Sequence, residues 1–385
     1  MIRIYHFHNG SGGGVLSVIR NLLKFRQHPQ VENHVVYTIN QEQYPLYEVP
    51  NLEGAASEQV FYYSPKWNFY YTCRQLAKFL PDEQAIVVAH DWLELGMVSN
   101  LGLQNPVVQI LHGDYEYYYQ LAQRHAPWVD KYITIADSIS QQLQQKLTER
   151  KADITYLRFP VPPSICKGEK NSGSNIIFIG RCTEEKGYPL LPQIAGGLQE
   201  KGCTLHWHIV GSIDNQSKEK YHWEASVPVT FYGNQSNEAV NRLLCDMQIF
   251  ILPSLAEGMP VSLIEAMKAG VIPFVNDLSG GIQELVRNGE TGWKVEGNRV
   301  EKYVELIGDA IRNPLRIKQI SVSAKIQAEA LFDPVANTSA CEILFIELFN
   351  AEKRRKAAYK VYGSRLDQSW IPNQLTAIIR NTFAQ

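Results

Sequence analysis

The chain has 385 residues, and a prior of roughly 150 residues per domain predicts two or three domains. Hydrophobic residues make up 45% and charged residues 20%, an ordinary globular composition that excludes disordered, collagen-like and low-complexity classes. With 37 Lys and Arg against 39 Asp and Glu, the formal charge of -2 argues against a dedicated nucleic-acid-binding protein.

The N-terminal segment IRIYHF, residues 2–7, reads as a short buried strand. Asn9-Gly10-Ser11-Gly12-Gly13-Gly14-Val15 follows, and then Leu16, Ile19, Leu22 and Leu23 recur at helical spacing, giving strand, glycine loop, helix. Further apolar runs at 34–38, 86–89, 107–111 and 131–135 are each followed by a helical stretch. Such alternation predicts a parallel sheet covered by helices on both faces. Residues 166–175, CKGEKNSGSN, lack periodicity and read as a linker. A second alternating series has strands at 176–179, 205–210, 229–232, 248–252 and 271–275. The tail from about 316 is predominantly helical, with one dense charge run, Lys353-Arg354-Arg355-Lys356, read as a solvated helix end. The predicted organisation is therefore an α/β domain over 1–165, the linker 166–175, a second α/β domain over 176–350, and helices over 351–385 packing back on the first.

Six cysteines, at 73, 166, 182, 203, 245 and 341, share no C-x-x-C spacing. Neither a zinc ribbon nor a thioredoxin-type pair is expected, and the scattered thiols fit a reducing compartment. No run approaches the roughly 18 apolar residues of a membrane span, and the first residues lack a signal-peptide pattern. These features predict a soluble, cytoplasmic protein.

Three segments carry chemistry. In the Gly10–Gly14 loop, backbone amides of Gly13 and Gly14 can approach a phosphate, although Val15 stands where a dinucleotide fingerprint would have its third glycine. After the 176–179 strand comes Gly180-Arg181-Cys182-Thr183-Glu184-Glu185-Lys186-Gly187. Arg181 and Lys186, at a strand's carboxyl end, can clamp a diphosphate, or can simply form surface ion pairs. In QIFILPSLAEGMPVSLIEAMKAG, residues 248–270, a strand ends at Pro253 and a helix begins near Pro260–Ser262. Glu257 lies in the intervening loop and Glu265 in the first turns of that helix, where two carboxylates can grip sugar hydroxyls. Taken alone, His112 reads as a satisfied core histidine, and His90, His206 and His208 as structural. Lys268 reads as part of a solvated helix face. The aromatic stretches 61–79 and 115–119 fit either amphipathic packing or contact with sugars or a lipid interface.

The pattern P-S-x-x-E-G-x-P-x-x-x-x-E-A-M around Glu257 and Glu265 resembles the retaining glycosyltransferase family four, which has the GT-B fold. The similarity extends to the G-R-x-x-x-E-K-G of 180–187, to His208–Gly211, Phe231–Gly233 and Val275–Asp277, and to Ser279–Gly281, Glu284–Val286 and Gly289–Gly292. In the first half, Gly12–Val15, Val88–Trp92 and Leu111–Asp114 are similar to family segments. Arg158-Phe159-Pro160-Val161-Pro162 departs from the family's pattern before the linker, as do Met259 and Lys268 in the loop and helix.

The resemblance implies two Rossmann-like doubly wound parallel-sheet domains facing a central cleft. It also implies transfer of a sugar from a nucleotide-diphosphate sugar, UDP- or GDP-linked, to an acceptor hydroxyl. Arg181 and Lys186 would bind the diphosphate with the Gly13 and Gly14 amides and the helix start at Val261 and Ser262. Glu265 would take the ribose, Glu257 the transferred sugar, and His112 would line the sugar pocket. The catalytic set is then Glu257, His112, Arg181 and Lys186. No D-x-D pair is present to hold a diphosphate through a metal, so no metal and no cofactor beyond the donor substrate is expected. Retention is reachable through a carboxylate nucleophile or, as the resemblance implies, by same-face displacement. The acceptor expected is a glycan or glycolipid of lipopolysaccharide or exopolysaccharide assembly, with a peripheral contact at the inner face of the membrane. Two other readings stand beside this one: a catalytically silent nucleotide-binding partner, and a nucleotide-sugar hydrolase or epimerase.

Overall fold

The computed structural model describes residues 1–167, 174–213 and 220–382. They form two compact units, Met1–Pro160 with Pro334–Gln385 and Val161–Asp333. In the first unit seven strands form one parallel sheet: β1 (Ile2–His8), β2 (Val31–Asn40), β3 (Ser57–Tyr63), β4 (Ile86–Ala89), β5 (Val107–Leu111), β6 (Lys131–Thr134) and β7 (Ile154–Tyr156). Their order is β3-β2-β1-β4-β5-β6-β7. Every residue of β4 and β5 is buried, as expected of parallel strands covered on both faces. Helices α1 (Gly14–Lys24), α2 (Phe69–Leu76), α3 (Trp92–Leu101), α4 (Glu116–His125) and α5 (Asp137–Lys146) supply the cover. The helix α1 does so with Leu16, Ile19, Leu22 and Leu23, the stripe its spacing predicts. Strand order reverses between β1 and β4, which places a topological switch point at their carboxyl ends.

The second unit repeats this plan with β8 (Asn175–Ile179), β9 (His206–Val210), β10 (Val229–Gly233), β11 (Ile249–Leu252), β12 (Ile272–Asn276) and β13 (Trp293–Val295), in the order β10-β9-β8-β11-β12-β13. Its described helices are α6 (Leu190–Glu200), α7 (Asn237–Leu244), α8 (Val261–Lys268), α9 (Gly281–Leu285), α10 (Val300–Ile311) and α11 (Pro314–Leu331). Here the order reverses between β8 and β11.

The chain then returns to the first unit through α12 (Pro334–Asn350) and α13 (Asn373–Thr382). This return comes at Pro334, not at 351 as the sequence suggests. Glu342 of α12 accepts hydrogen bonds from the Gln27 and His28 amides, each at 2.9 Å, and so ties α12 to the end of α1. The predicted linker lies largely outside the described residues, at 168–173.

Three further expectations are corrected. Lys353–Lys356 is not a solvated helix end, because the segment is non-helical and Lys356 is buried. Its ammonium donates to Asn105 O and Asp130 Oδ2, both at 2.6 Å, and Arg354 donates to Val129 O at 2.9 Å. Burial lowers the Lys356 pKa from its ordinary value. Lys268 is likewise buried and donates to Val161 O and, at 2.7 Å, to Phe332 O. It thus fastens both ends of the second unit's chain to α8. Finally, the thiols are not all single, since Cys166 and Cys245 form a disulfide with Cα atoms 5.1 Å apart, a normal bridging separation.

Candidate active site

The second unit's site is built where the loops after β8, β9, β11 and β12 meet at the switch point. Gly211, at φ +137°, lies against Gly180 O, where a Cβ would fall 1.9 Å from that oxygen. The Cys182 amide donates to Ser212 O at 2.9 Å. Gly187, at φ +71°, lies as close to Pro253 O, and the Leu255 amide donates to Glu185 O at 2.8 Å. A side chain at either glycine would push these loops apart. The Gly281 amide, in turn, donates to Gly258 O at 2.7 Å.

This main-chain lacing brings Lys186 and Glu257 together across 71 residues of sequence, with Nζ 2.7 Å from Oε1. Their side chains are only 18% and 9% exposed, so the pair is shielded from water. Shielding strengthens its attraction beyond that of a surface ion pair. The helix α8 begins beside them. Pro260 caps it without a side-chain bond, and Ser262 Oγ donates to Ile179 O at 3.4 Å, placing the first turn against the end of β8. The Val261 and Ser262 amides thus belong to a helix start that favours an anion. One turn on, Glu265 is buried. Arg181 is 63% exposed and pairs with Glu185 at 3.4 Å, which is the surface contact that sequence alone also allowed.

A supporting layer lies beneath. Asn276, buried at the end of β12, donates to Ser254 O at 2.7 Å and accepts from the Tyr303 hydroxyl at 2.8 Å. Asn276 and Tyr303 thus support the Pro253–Gly258 loop through Ser254, and of the three only Tyr303 lies outside the sequence motifs.

In the first unit, Gly12 and Gly13 are exposed ahead of α1 and Gly14 is exposed as its first residue, and a Cβ at Gly12 or Gly13 would meet nothing within 4 Å. His112 follows β5 and is partly buried. Its ring stacks on Phe159 at 5.7 Å, so the segment that departs from the family pattern still frames this histidine. His112 Nε2 lies 2.7 Å from His90 Nδ1. His90, read from sequence as merely structural, is therefore the direct neighbour of His112, and His90 Nε2 lies 3.3 Å from His6 Nδ1. Glu94 fixes the turn that carries His90, accepting the His90 and Asp91 amides at 2.7 and 2.6 Å. Burial raises its carboxyl pKa to about 8. Burial also lowers His6 and His8 to about 4 and His112 to about 3, so these rings are neutral at pH 7. A sequence signal existed, since His6 and His8 share a strand face and His90 and His112 each follow a buried strand.

Most of the aromatic stretch packs internally. Phe61 and Cys73 are buried and Phe69 stacks on Trp92 at 5.8 Å, whereas Tyr71 and Tyr117 are exposed. Among the described residues no helix is long and apolar enough to cross a membrane. No group of three or more His, Cys, Asp or Glu side chains is arranged among them to hold a metal ion.

Residues 167–327 match the family model described as glycosyl transferases group 1. WcaL of Escherichia coli (strain K12), named as a colanic acid biosynthesis glycosyltransferase, is 34% identical over 134 residues, 32% of each chain. The amylovoran biosynthesis glycosyltransferase AmsK of Erwinia amylovora is 26% identical over 179 residues, 44% of each. The chain thus spans between about a third and under a half of the length of these curated relatives. Among solved structures, HepE of Anabaena in complex with UDP and glucose superposes with a TM-score of 0.71 at 15% identity, covering 90% of this chain and 100% of that one. The fold is that of the GT-B class, with two Rossmann-like parallel-sheet units.

Proposed function

We propose that the chain is a retaining, metal-independent glycosyltransferase that moves a sugar from a nucleotide-diphosphate sugar to an acceptor hydroxyl. The observation that carries this reading is the shielded Lys186–Glu257 pair beside the start of α8 and buried Glu265, at the switch point of the second sheet. Cation, carboxylates and helix amides converge where open α/β sheets bind nucleotides.

In this reading Arg181, Lys186 and the Val261 and Ser262 amides stabilise the negative charge that grows on the leaving diphosphate. The family resemblance assigns the Gly13 and Gly14 amides to the same diphosphate. Glu265 accepts hydrogen bonds from the ribose hydroxyls, and Glu257 binds the transferred sugar and keeps Lys186 oriented. The family resemblance assigns His112 to the transferred sugar. Retention follows from same-face displacement: the bond from the anomeric carbon to the phosphate oxygen breaks as the bond to the acceptor oxygen forms. The acceptor's proton passes to the departing phosphate, so no base beyond the donor is required.

The donor is a UDP- or GDP-sugar, and the complex of HepE with UDP makes UDP the first to try. The acceptor is a glycan or glycolipid in cell-surface polysaccharide assembly, in keeping with the relatives named for colanic acid and amylovoran. A lipid-linked acceptor would be met at the cytoplasmic face of the membrane, with exposed Tyr71 and Tyr117 as candidate contacts. The test is product analysis by mass spectrometry and NMR with donor sugars, in the presence and absence of acceptor and of EDTA. Acceptor-dependent product with the donor's anomeric configuration, undiminished by EDTA, is expected. Free sugar formed equally without acceptor, or an inverted linkage, would overturn the reading.

A further inference from the structure

Three imidazoles and one amide form a continuous line through the core of the first unit, at its switch point. His6 lies on β1, His90 just after β4, His112 just after β5, and Asn33 on β2, so four adjacent strands each contribute one group. The contacts run His112 Nε2 to His90 Nδ1 at 2.7 Å, His90 Nε2 to His6 Nδ1 at 3.3 Å, and His6 Nε2 to Asn33 Oδ1 at 3.2 Å. The rings are close, with centroids 5.0 Å apart for His90 and His112 and 5.6 Å for His6 and His90. Asn33, His6 and His90 are buried. Buried rings are costly unless each polar nitrogen finds a partner, and this line supplies one for every inner nitrogen.

Direction follows from the end of the line. A neutral imidazole has one N–H and one lone pair. An amide oxygen only accepts, so His6 must donate from Nε2 to Asn33 Oδ1, which leaves His6 Nδ1 as an acceptor. His90 must then donate from Nε2 to it, and His112 must donate from Nε2 to His90 Nδ1. All three rings become Nε2–H tautomers, and His112 Nδ1 is left as a lone pair that makes no hydrogen bond among the described residues.

We infer that Asn33, His6 and His90 are positioning residues that set His112 as an obligatory hydrogen-bond acceptor, so that the first unit selects a ligand bearing a hydroxyl donor at that point. A sugar with an ionised carboxylate there, which only accepts, would be disfavoured, as would a deoxy sugar that offers no donor. Neutrality of the relay is needed for this, and burial supplies it, holding His6 near 4 and His112 near 3 and lowering His90 well below its ordinary value. The inference rests on the proposed function for the identity of that ligand as the transferred sugar. The tautomer order itself does not depend on that function.

The test therefore has two arms. Nitrogen-15 histidine spectra of the full-length protein without ligand at pH 7, assigned by single His→Gln variants, report the tautomer of each ring. His6, His90 and His112 are each expected as the Nε2–H form. An Nδ1–H or imidazolium state at His112, as would follow if the Asn33 amide faced His6 with its nitrogen, would overturn the inference even in a fully active enzyme. In the second arm, His90→Leu interrupts the line, whereas His90→Gln can still accept from His112 and donate to His6. The Leu variant is expected to lose about tenfold in kcat with the donor sugar, with nucleoside diphosphate affinity unchanged, and the Gln variant to recover most of the loss. Equal losses in both variants, or a parallel loss of nucleotide affinity, would mean a merely structural role. If the protein transfers no sugar at all, the proposed function fails while the spectra still decide the relay.

Discussion

The two units use one backbone plan and fill it with opposite chemistry. Both sheets reverse strand order at a central pair, β1 and β4 in the first and β8 and β11 in the second. At the first reversal stand neutral rings, His6, His90 and His112, which burial keeps uncharged at pH 7. At the second stand ions, Lys186 and Glu257 in contact and Glu265 buried close by in sequence. A parallel sheet opens a crevice at a reversal whatever lines it. The side chains then determine what is held there: fixed charges suit a diphosphate, and directed imidazoles suit an uncharged sugar.

If this division is right, substitutions should separate along it. The largest effect is expected from Lys186→Ala, which removes a cation from the leaving group and leaves Glu257 shielded without its partner. Turnover should fall roughly 100- to 1,000-fold in a steady-state transfer assay, and unchanged kcat would show that the charges of the second unit are not the catalytic ones. Glu265→Ala comes next. Loss of carboxylate contacts to the ribose should weaken nucleoside diphosphate binding about 10- to 100-fold by calorimetry, with no change in the histidine spectra of the first unit.

Lys268 sharpens the comparison from the side of stability. Replacing it by Met leaves the Val161 and Phe332 carbonyls without their donor and should cost about 1–3 kcal/mol. Burial lowers its folded pKa to about 8 from 10.5. Between these pH values the unfolded chain holds a proton that the folded chain has released. The second unit of the wild type should therefore gain stability, relative to Lys268→Met, as pH rises from 8 to 10.5. Parallel melting curves for the two proteins across that window would contradict this. The smallest effect is expected at Arg181, which is largely exposed. Arg181→Ala should change stability by no more than about 0.5 kcal/mol while weakening nucleotide binding several-fold, and an unchanged affinity would reduce Arg181 to a surface pair with Glu185.

Much of this architecture was legible in the chain. Buried runs such as 176–179 and 248–252 correspond to β8 (Asn175–Ile179) and β11 (Ile249–Leu252), because central parallel strands are apolar on both faces. The edge strands β7 (Ile154–Tyr156) and β13 (Trp293–Val295) have three residues each, too few to show a period, and β3 (Ser57–Tyr63) is only half-buried. The return of the chain at Pro334 was hidden because α11 and α12 are both helical, with two residues between them. The burial of Lys268 has no local signal, because it depends on the carbonyls of Val161 and Phe332, each more than 60 residues distant. The spacing of Glu257 and Glu265 is local and could be read directly. The histidine line depends on the order β2-β1-β4-β5, which only the assembled sheet supplies.

The most direct measurement is a calorimetric titration of UDP and GDP, in the presence of EDTA, into the wild type, Lys186→Ala and Glu265→Ala. Binding of one nucleoside diphosphate by the wild type, weakened at least about tenfold in both variants, is the expected result. Equal affinity in all three proteins, or binding of neither nucleotide by the wild type, would contradict the assignment of the second unit's switch point as the donor site.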